Sequence, residues 1–155
     1  MAKAIPEGLH TITAQVAVEG CADAIEFWKR AFGAQEVMRA PDPTGKKIWH
    51  SQLKIGDSAF FANDVFPEMG SRATPASLWI YLDNVDAAWK RAVDAGCQVK
   101  MPIADMFWGD RCGTVVDKWG NEWTLAQRMK EMSPAEMKKA QDEFVAQMAK
   151  GAPKK

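Results

Sequence analysis

His50 has the clearest potential for proton transfer, because it is one of only two histidines in 155 residues. It lies in the stretch KKIWHSQLK, whose strand-like alternation places its side chain on the same face as Gln52. An imidazole on such a face acts as a general base or as an anchor for a ligand. The alternative is a histidine that is only hydrogen-bonded within its strand. The other histidine, His10, precedes the first predicted strand and is expected at the surface.

Glu122 and Arg111 are charged side chains that could also do chemistry. The carboxylate of Glu122 can act as a catalytic base or pair with a cation, and its alternative is a place on the rim of the site. The guanidinium of Arg111 can bind an anionic ligand with two parallel hydrogen bonds, or it can form an ion pair with Asp110 or Asp117. The run Trp108-Gly109-Asp110-Arg111 is typical of a turn.

Four aromatic side chains are candidates for a box around a planar ligand: Phe60, Trp79, Tyr81 and Trp108. Packing in the hydrophobic core is the alternative for each of them. The alternation of the stretch SLWIYL places Trp79 and Tyr81 on one face of a strand and Leu78 and Ile80 on the other. This pattern favours an exposed or ligand-facing position for the two aromatic rings.

Cysteine content and net charge exclude several classes of protein. Cys21, Cys97 and Cys112 are odd in number, have no close partner in sequence and lack an adjacent base, so we interpret them as reduced, inert thiols of a cytoplasmic protein. Twenty basic and 20 acidic residues give zero net charge, which argues against nucleic-acid and membrane-surface binding. We find no secretory signal, no membrane-spanning apolar run and no phosphate-binding or nucleotide fingerprint.

The elements that must position these residues follow the order strand, helix and three strands, and this order occurs twice. The first half has predicted strands near 11–18, 35–40, 47–55 and 58–63 and a helix over 22–32; the second has strands near 77–82, 98–103, 112–117 and 122–127 and a helix over 85–96. Gly33-Ala34-Gln35 matches Gly96-Cys97-Gln98 at an offset of 63 residues. The repeat indicates a duplicated βαβββ unit.

The predicted fold is therefore α+β. We expect one domain over residues 1–132, with pseudo-repeats at about 9–64 and 76–128, whose two βαβββ modules form a curved eight-stranded mixed sheet, or cup. Ser133-Pro134-Ala135-Glu136 is a strong helix start and predicts an amphipathic C-terminal helix over 133–150. Its apolar stripe is expected to pack on the body of the domain or on a second subunit. Residues 151–155 are expected to form a flexible tail.

Four stretches carry a resemblance to a known family: ADAIEFWKRAFGAQEVMRA, IWHSQLKIGDSAFFAND, VDAAWKRAVDAGCQV and MFWGDRCGTVVDKWGNEWTLAQR. Over residues 9–129 the chain resembles the vicinal oxygen chelate superfamily of glyoxalases, bleomycin-resistance proteins and dioxygenases, and within it the PhnB-like branch. The resemblance implies a small-molecule ligand and a homodimer. The superfamily includes lyases, isomerases, dioxygenases and metal-free drug-binding proteins, so the resemblance selects no single activity.

Metal-dependent members of that superfamily carry their ligands on four strands, and these positions align here with Thr13, Phe60, Ser77 and Thr124. Neutral hydroxyls are poor ligands for a divalent ion, and a phenyl ring is none. We therefore expect no metal and no other cofactor.

The sequence predicts a metal-free cup that binds a small aromatic or anionic molecule. The alternative is an enzyme of the same superfamily, of the lyase, isomerase or dioxygenase type, with a non-standard site that uses His50 or Glu122 as its catalytic group. The predicted ligand-binding residues are Thr13, Gln15, His50, Gln52, Phe60, Ser77, Trp79, Tyr81, Trp108, Arg111 and Thr124.

Overall fold

A computed structural model of the chain describes residues 1–151 and contains eight strands and three α-helices. The elements are β1 (Ala14–Val18), α1 (Cys21–Phe32), β2 (Gln35–Pro41), β3 (Ile48–Ile55), β4 (Ser58–Asp64), a short 3-10 helix (Pro67–Met69), β5 (Ser77–Tyr81), α2 (Val85–Ala95), β6 (Gln98–Asp105), β7 (Asp110–Val116), β8 (Glu122–Arg128) and α3 (Pro134–Gly151). No helix within residues 1–151 is long and apolar enough to cross a lipid bilayer.

The strands form two four-stranded sheets with the same topology. The first has the order β1-β4-β3-β2 and the second the order β5-β8-β7-β6. In each sheet the first and last strands of the module pair in parallel, while the other pairs are antiparallel. The predicted α+β class and the two βαβββ modules are confirmed, with the eight strands divided between two sheets.

Local sequence signals explain where the helices begin and end. The side chain of Asn84 accepts a hydrogen bond from the Ala87 N–H and caps α2. Gly33 follows α1 with φ 69°, a left-handed conformation that glycine adopts without a Cβ penalty. At α3, Ser133 and Glu136 form the reciprocal pair of a capping box.

The core lies between the helices and one face of each sheet. Helix α1 contacts β1, β3 and β4, α2 contacts β6, β7 and β8, and the two helices contact each other. Trp28 of α1 packs against Trp123 of β8 with ring centroids 5.9 Å apart, so the two modules share one core. We call the face of each sheet that is turned away from the helices its open face.

Three predicted boundaries differ from the structure. Strand β1 begins at Ala14, three residues after the predicted start, and Ile12 lies exposed ahead of it. The predicted 108–111 turn ends at Gly109, and Asp110 and Arg111 are the first two residues of β7. Helix α3 continues to Gly151, and the remainder of the predicted flexible tail lies outside the described residues.

Helix α3 differs from α1 and α2 in that none of its residues is buried. The predicted apolar stripe reaches the body of the domain at Phe144, which packs against Phe107 with ring centroids 5.0 Å apart, and at the partly buried Met137. Val145 and Met148 remain exposed beside Phe144.

Candidate ligand-binding face

The register of the second sheet brings several predicted site residues to its open face. Cross-strand pairs run Ser77 with Glu122 and Trp79 with Thr124. Because successive residues of a strand point to opposite faces, Leu78 and Ile80 turn toward the core while these side chains turn away from it. Tyr81 continues the same face, two residues beyond Trp79.

The exposed rings of Trp79 and Tyr81 form an aromatic surface on this face. Their ring centroids are 6.2 Å apart, and the side chains are 50% and 59% exposed. Exposed apolar side chains that adjoin one another in a patch are typical of contact surfaces. Two of the four residues predicted for the aromatic box, Trp79 and Tyr81, therefore lie side by side on one face of β5.

Asp110 joins Tyr81 to the third predicted aromatic residue, Trp108. Its carboxylate is only 4% exposed, and Oδ2 accepts hydrogen bonds from the Tyr81 hydroxyl at 2.8 Å and from Trp108 Nε1 at 3.0 Å. The hydrogen bond to Asp110 raises the pKa of Tyr81 above its ordinary value. Sequence reasoning assigned Asp110 no site role, because it interpreted the residue as part of a turn or as a partner of Arg111.

A cavity of about 240 Å³ lies at this end of the open face. Its lining residues come from β5, β7, β8 and the first turn of α3, from the turn before β7 and from the segment that joins β8 to α3: Tyr81, Trp108, Asp110, Arg128, Lys130, Glu131, Met132 and Met137. Gly109 holds the segment before α3 in place, since its carbonyl accepts the N–H groups of Met129 and Lys130 at 2.9 and 3.0 Å. A Cβ at Gly109 would lie 2.5 Å from the Lys130 carbonyl oxygen, so this close approach requires glycine.

The open face of the first sheet is more polar. Gln15 and Gln52 flank Phe61 in register, and Gln15 Nε2 donates to Asn63 Oδ1 at 2.8 Å. The imidazole of His50 packs edge-on against Phe61, with ring centroids 4.6 Å apart. Its ring nitrogens make no hydrogen bond with any side chain or backbone group that the structure describes. Sequence reasoning missed Phe61 because it assigned Phe60 to this face.

Phe60 faces the core, so its assignment to the open face is wrong. Its ring lies 5.8 Å from that of Trp28 and 6.1 Å from that of Trp123. The error comes from counting four residues from a glycine in each hairpin. The first hairpin closes with Ile55 opposite Ser58, whereas the second closes across five residues with Val116 opposite Glu122. The same count therefore ends on opposite faces of the two sheets.

A second cavity, of about 370 Å³, lies between the modules and is lined by Phe60 together with Trp79, Tyr81 and Trp123. None of Gln15, His50 and Gln52 lines it. In the single chain this cavity therefore lies between β5 and the first module, and the polar open face of the first sheet does not contribute to it.

Three residues with a predicted site role do not lie free on an open face: Arg111, Glu122 and Thr13. Arg111 forms ion pairs with Asp86 at 2.8 Å and Asp105 at 3.1 Å, and neither partner is one that the sequence suggested. These two carboxylates raise the pKa of the Arg111 guanidinium. Glu122 pairs with Lys100, and Thr13 precedes β1.

The four aligned metal positions do not fit a divalent cation. Phe60 is packed in the core, and the hydroxyl oxygens of Thr124 and Thr114 hydrogen-bond each other at 2.8 Å. Within residues 1–151 no three His, Cys, Asp or Glu side chains converge as metal ligands. The donors that a zinc or magnesium ion prefers are therefore not assembled here.

The three cysteines are buried free thiols. Burial raises the pKa of Cys21 and of Cys97 to about 12, and it also raises the pKa of Cys112. Because the thiolate is the reactive form, these environments suppress nucleophilic chemistry.

Comparisons with known proteins place this geometry in a family context. The model of the Glyoxalase/Bleomycin resistance protein/Dioxygenase superfamily matches residues 8–125. An uncharacterized protein of Mycobacterium bovis, Mb0911c, is 36% identical over 138 residues, with 83% of this chain and 90% of that protein covered.

Solved structures show the same fold at lower sequence identity. TioX from Micromonospora sp. ML1 superposes with a TM-score of 0.66 at 24% identity, covering 77% of this chain and 99% of TioX. A PhnB protein from Bacillus cereus, described as a putative 3-demethylubiquinone-9 3-methyltransferase, superposes with a TM-score of 0.61 at 20% identity, covering 76% and 99%.

Proposed function

This chain belongs to the glyoxalase/bleomycin resistance protein/dioxygenase superfamily, and from that premise we propose that it binds a small aromatic or anionic molecule on the open face of its second sheet without a metal ion. The observation that carries the proposal is the cluster of Trp79, Tyr81 and Trp108, two of which share the buried carboxylate of Asp110. Planar aromatic walls with a few fixed polar groups are typical of small-molecule sites.

The donor chemistry of the aligned positions supports metal-free binding. The side chains of Thr13, Ser77 and Thr124 offer only hydroxyls, and Phe60 lies in the core. Ligand recognition then depends on aromatic contact and hydrogen bonding. The family includes drug-binding proteins as well as enzymes, and the resemblance to a PhnB protein makes the PhnB-like branch part of this proposal.

We also propose a homodimer. A single chain leaves two open sheet faces uncovered, the aromatic face of the second sheet and the polar face around His50, Gln52 and Phe61. A second copy that placed its polar face opposite this aromatic face would enclose the ligand position between the two and shield the exposed rings of Trp79 and Tyr81 from bulk solvent. Equilibrium sedimentation tests this: twice the chain mass is expected, and a monomer at high micromolar concentration contradicts it.

An enzyme with a non-standard site is the second candidate function, and His50 is the observation that favours it. Its imidazole is half-buried beside Phe61 and has no hydrogen-bond partner among the described residues, which leaves a ring nitrogen available as a general base. Glu122 is less suited to proton transfer because Lys100 pairs with its carboxylate.

The cytoplasmic location is likewise proposed, on the basis of three unpaired thiols.

Calorimetric titration of protein dialysed against a chelator tests the binding function. We use 2-naphthamide, a neutral planar probe, and 2-naphthoate, its anionic counterpart. Both are expected to bind the wild-type protein, and Trp79→Ala is expected to weaken binding by about tenfold or more, since an aromatic contact contributes ~1 kcal/mol beyond its buried area.

Trp49→Ala is the matched control, because Trp49 is also 50% exposed but lies on β3. The control should bind both probes as the wild-type protein does. Absence of binding to both the wild-type protein and Trp49→Ala, or binding that appears only after a metal ion is added, would contradict the proposed function.

A further inference from the structure

Arg128 is exposed and carries a positive charge at the 240 Å³ cavity. Its side chain lines the cavity, yet it makes no hydrogen bond or ion pair with residues 1–151. Arg111, by contrast, is held by Asp86 and Asp105. The anion-binding role that the sequence suggested for Arg111 is therefore open to Arg128 instead.

The other charged groups of the cavity already have partners or face solvent. Asp110 lies opposite Arg128 in the β7–β8 ladder, but its Oδ2 accepts from Tyr81 and Trp108 rather than from the guanidinium. Lys130 pairs with Glu136 at 3.2 Å. Glu131 is exposed and forms no ion pair with Arg128. The guanidinium thus retains its donors for a ligand.

The aromatic surface adjoins this charge. Arg128 and Tyr81 line the same cavity, and the ring centroid of Trp79 lies 6.2 Å from that of Tyr81. A ligand whose anionic group reaches Arg128 can therefore place a planar ring against Tyr81 and Trp79. Met132, just before α3, and Met137, in the first turn of α3, also line the cavity, and their flexible thioether side chains adapt to ligands of different shape.

We propose that this cavity binds the carboxylate of an aromatic monoanion at Arg128, with the ring on Tyr81 and Trp79. The proposal rests on the proposed function and specifies the class of ligand. A carboxylate matches the planar fork of a guanidinium with two parallel hydrogen bonds. A phosphate dianion is less suited, because the acidic side chains of Asp110 and Glu131 line the same cavity and a single unpaired cation faces them.

The test compares three probes by calorimetric titration of the full-length protein: 2-naphthoate, neutral 2-naphthamide and 2-naphthyl phosphate. We expect 2-naphthoate to bind about tenfold more tightly than the amide, the lower end of what a charge-assisted hydrogen bond contributes. The phosphate should bind more weakly than the carboxylate. In Arg128→Gln the advantage of the carboxylate over the amide should disappear, because the carboxylate loses a charge-assisted hydrogen bond and the amide only a neutral-acceptor one.

Arg72→Gln is the matched control, because it removes the same charge from an exposed loop that does not line this cavity. It should retain the preference for carboxylate. Equal affinities for carboxylate and amide in the wild-type protein, or an undiminished preference in Arg128→Gln, would overturn the Arg128 site and leave the proposed function standing. Tighter binding of the phosphate would overturn the choice of a monoanion. Absence of binding by all three probes would overturn both proposals.

Discussion

The indole Nε1 of Trp28 donates a hydrogen bond of 2.8 Å to Asp117 Oδ2, across 89 residues of sequence. This contact joins α1 of the first module to the loop between β7 and β8 of the second. The same oxygen accepts from Trp123 Nε1 at 2.9 Å, and Oδ1 accepts the backbone N–H groups of Trp119 and Asn121. The carboxylate is only 5% exposed, so it fixes the relative position of the two modules from within.

Asp117→Asn should destabilise the fold by ~2–4 kcal/mol, because a buried acceptor of several N–H groups is replaced by an amide whose NH2 group faces those donors. Urea denaturation followed by tryptophan fluorescence measures the free energy of unfolding. Asp83→Asn is the control, since Asp83 is exposed and makes no hydrogen bond among the described residues. A loss no greater than that of the control would show that Asp117 does not hold the modules together.

The single tyrosine of the chain makes the Tyr81–Asp110 contact directly measurable. Near-ultraviolet absorbance against pH should give a tyrosine pKa above the ordinary value near 10, because ionisation breaks the hydrogen bond to a carboxylate and places two negative charges together. Asp110→Asn should lower that pKa toward the ordinary value. A tyrosine that titrates identically in both proteins would show that the contact is absent in solution.

The start of α3 should weaken in acid. Hydrogen bonding to the Ser133 N–H, with Lys130 nearby, lowers the pKa of Glu136 from 4.5 to about 2. A carboxyl whose pKa is lower in the folded state stabilises the protein above its unfolded pKa. This contribution is therefore complete above about pH 4.5 and is lost as the pH falls toward 2.

Amide hydrogen exchange in the first turn of α3, measured across that pH range, checks this prediction after correction for intrinsic rates. Opening of this turn should increase on acidification in the wild-type protein and should depend less on pH in Glu136→Gln. The same acid dependence in both proteins would assign the effect to other carboxyl groups.

The cysteines should resist modification in the folded protein. Because burial raises the pKa of Cys21 and of Cys97 to about 12, we expect a thiol-specific disulfide reagent at pH 8 to react slowly with native protein and to label three thiols after denaturation. Rapid labelling of one thiol in native protein would show an activated cysteine and would favour the enzymatic alternative.

The fold was predictable because its evidence is local and occurs twice. Glycines after each helix, strand alternation and the offset between halves all act over short stretches, and they define the modules without tertiary information. The open-face positions of Trp79 and Tyr81 follow from alternation within a single strand in the same way.

The parts of the site that depend on loop geometry were not predictable. Phe60 was assigned to the wrong face because two hairpins of different length shift the register by one residue, and a shift of one residue reverses every side chain. Arg111 pairs with Asp86 of α2, which lies 25 residues earlier in the sequence. Asp110 accepts a hydrogen bond from Tyr81, which lies 29 residues earlier. Neither pairing leaves a signal in one sequence.

The most direct test of ligand binding at the aromatic face uses the indole N–H resonances of the seven tryptophans in a nitrogen-15 correlation spectrum, recorded while 2-naphthoate is added. We expect the signals of Trp79 and Trp108 to shift with saturable dependence on probe concentration, while those of exposed Trp49 and buried Trp28 stay in place. Shifts confined to Trp49, or a spectrum that the probe leaves unchanged, would contradict this expectation.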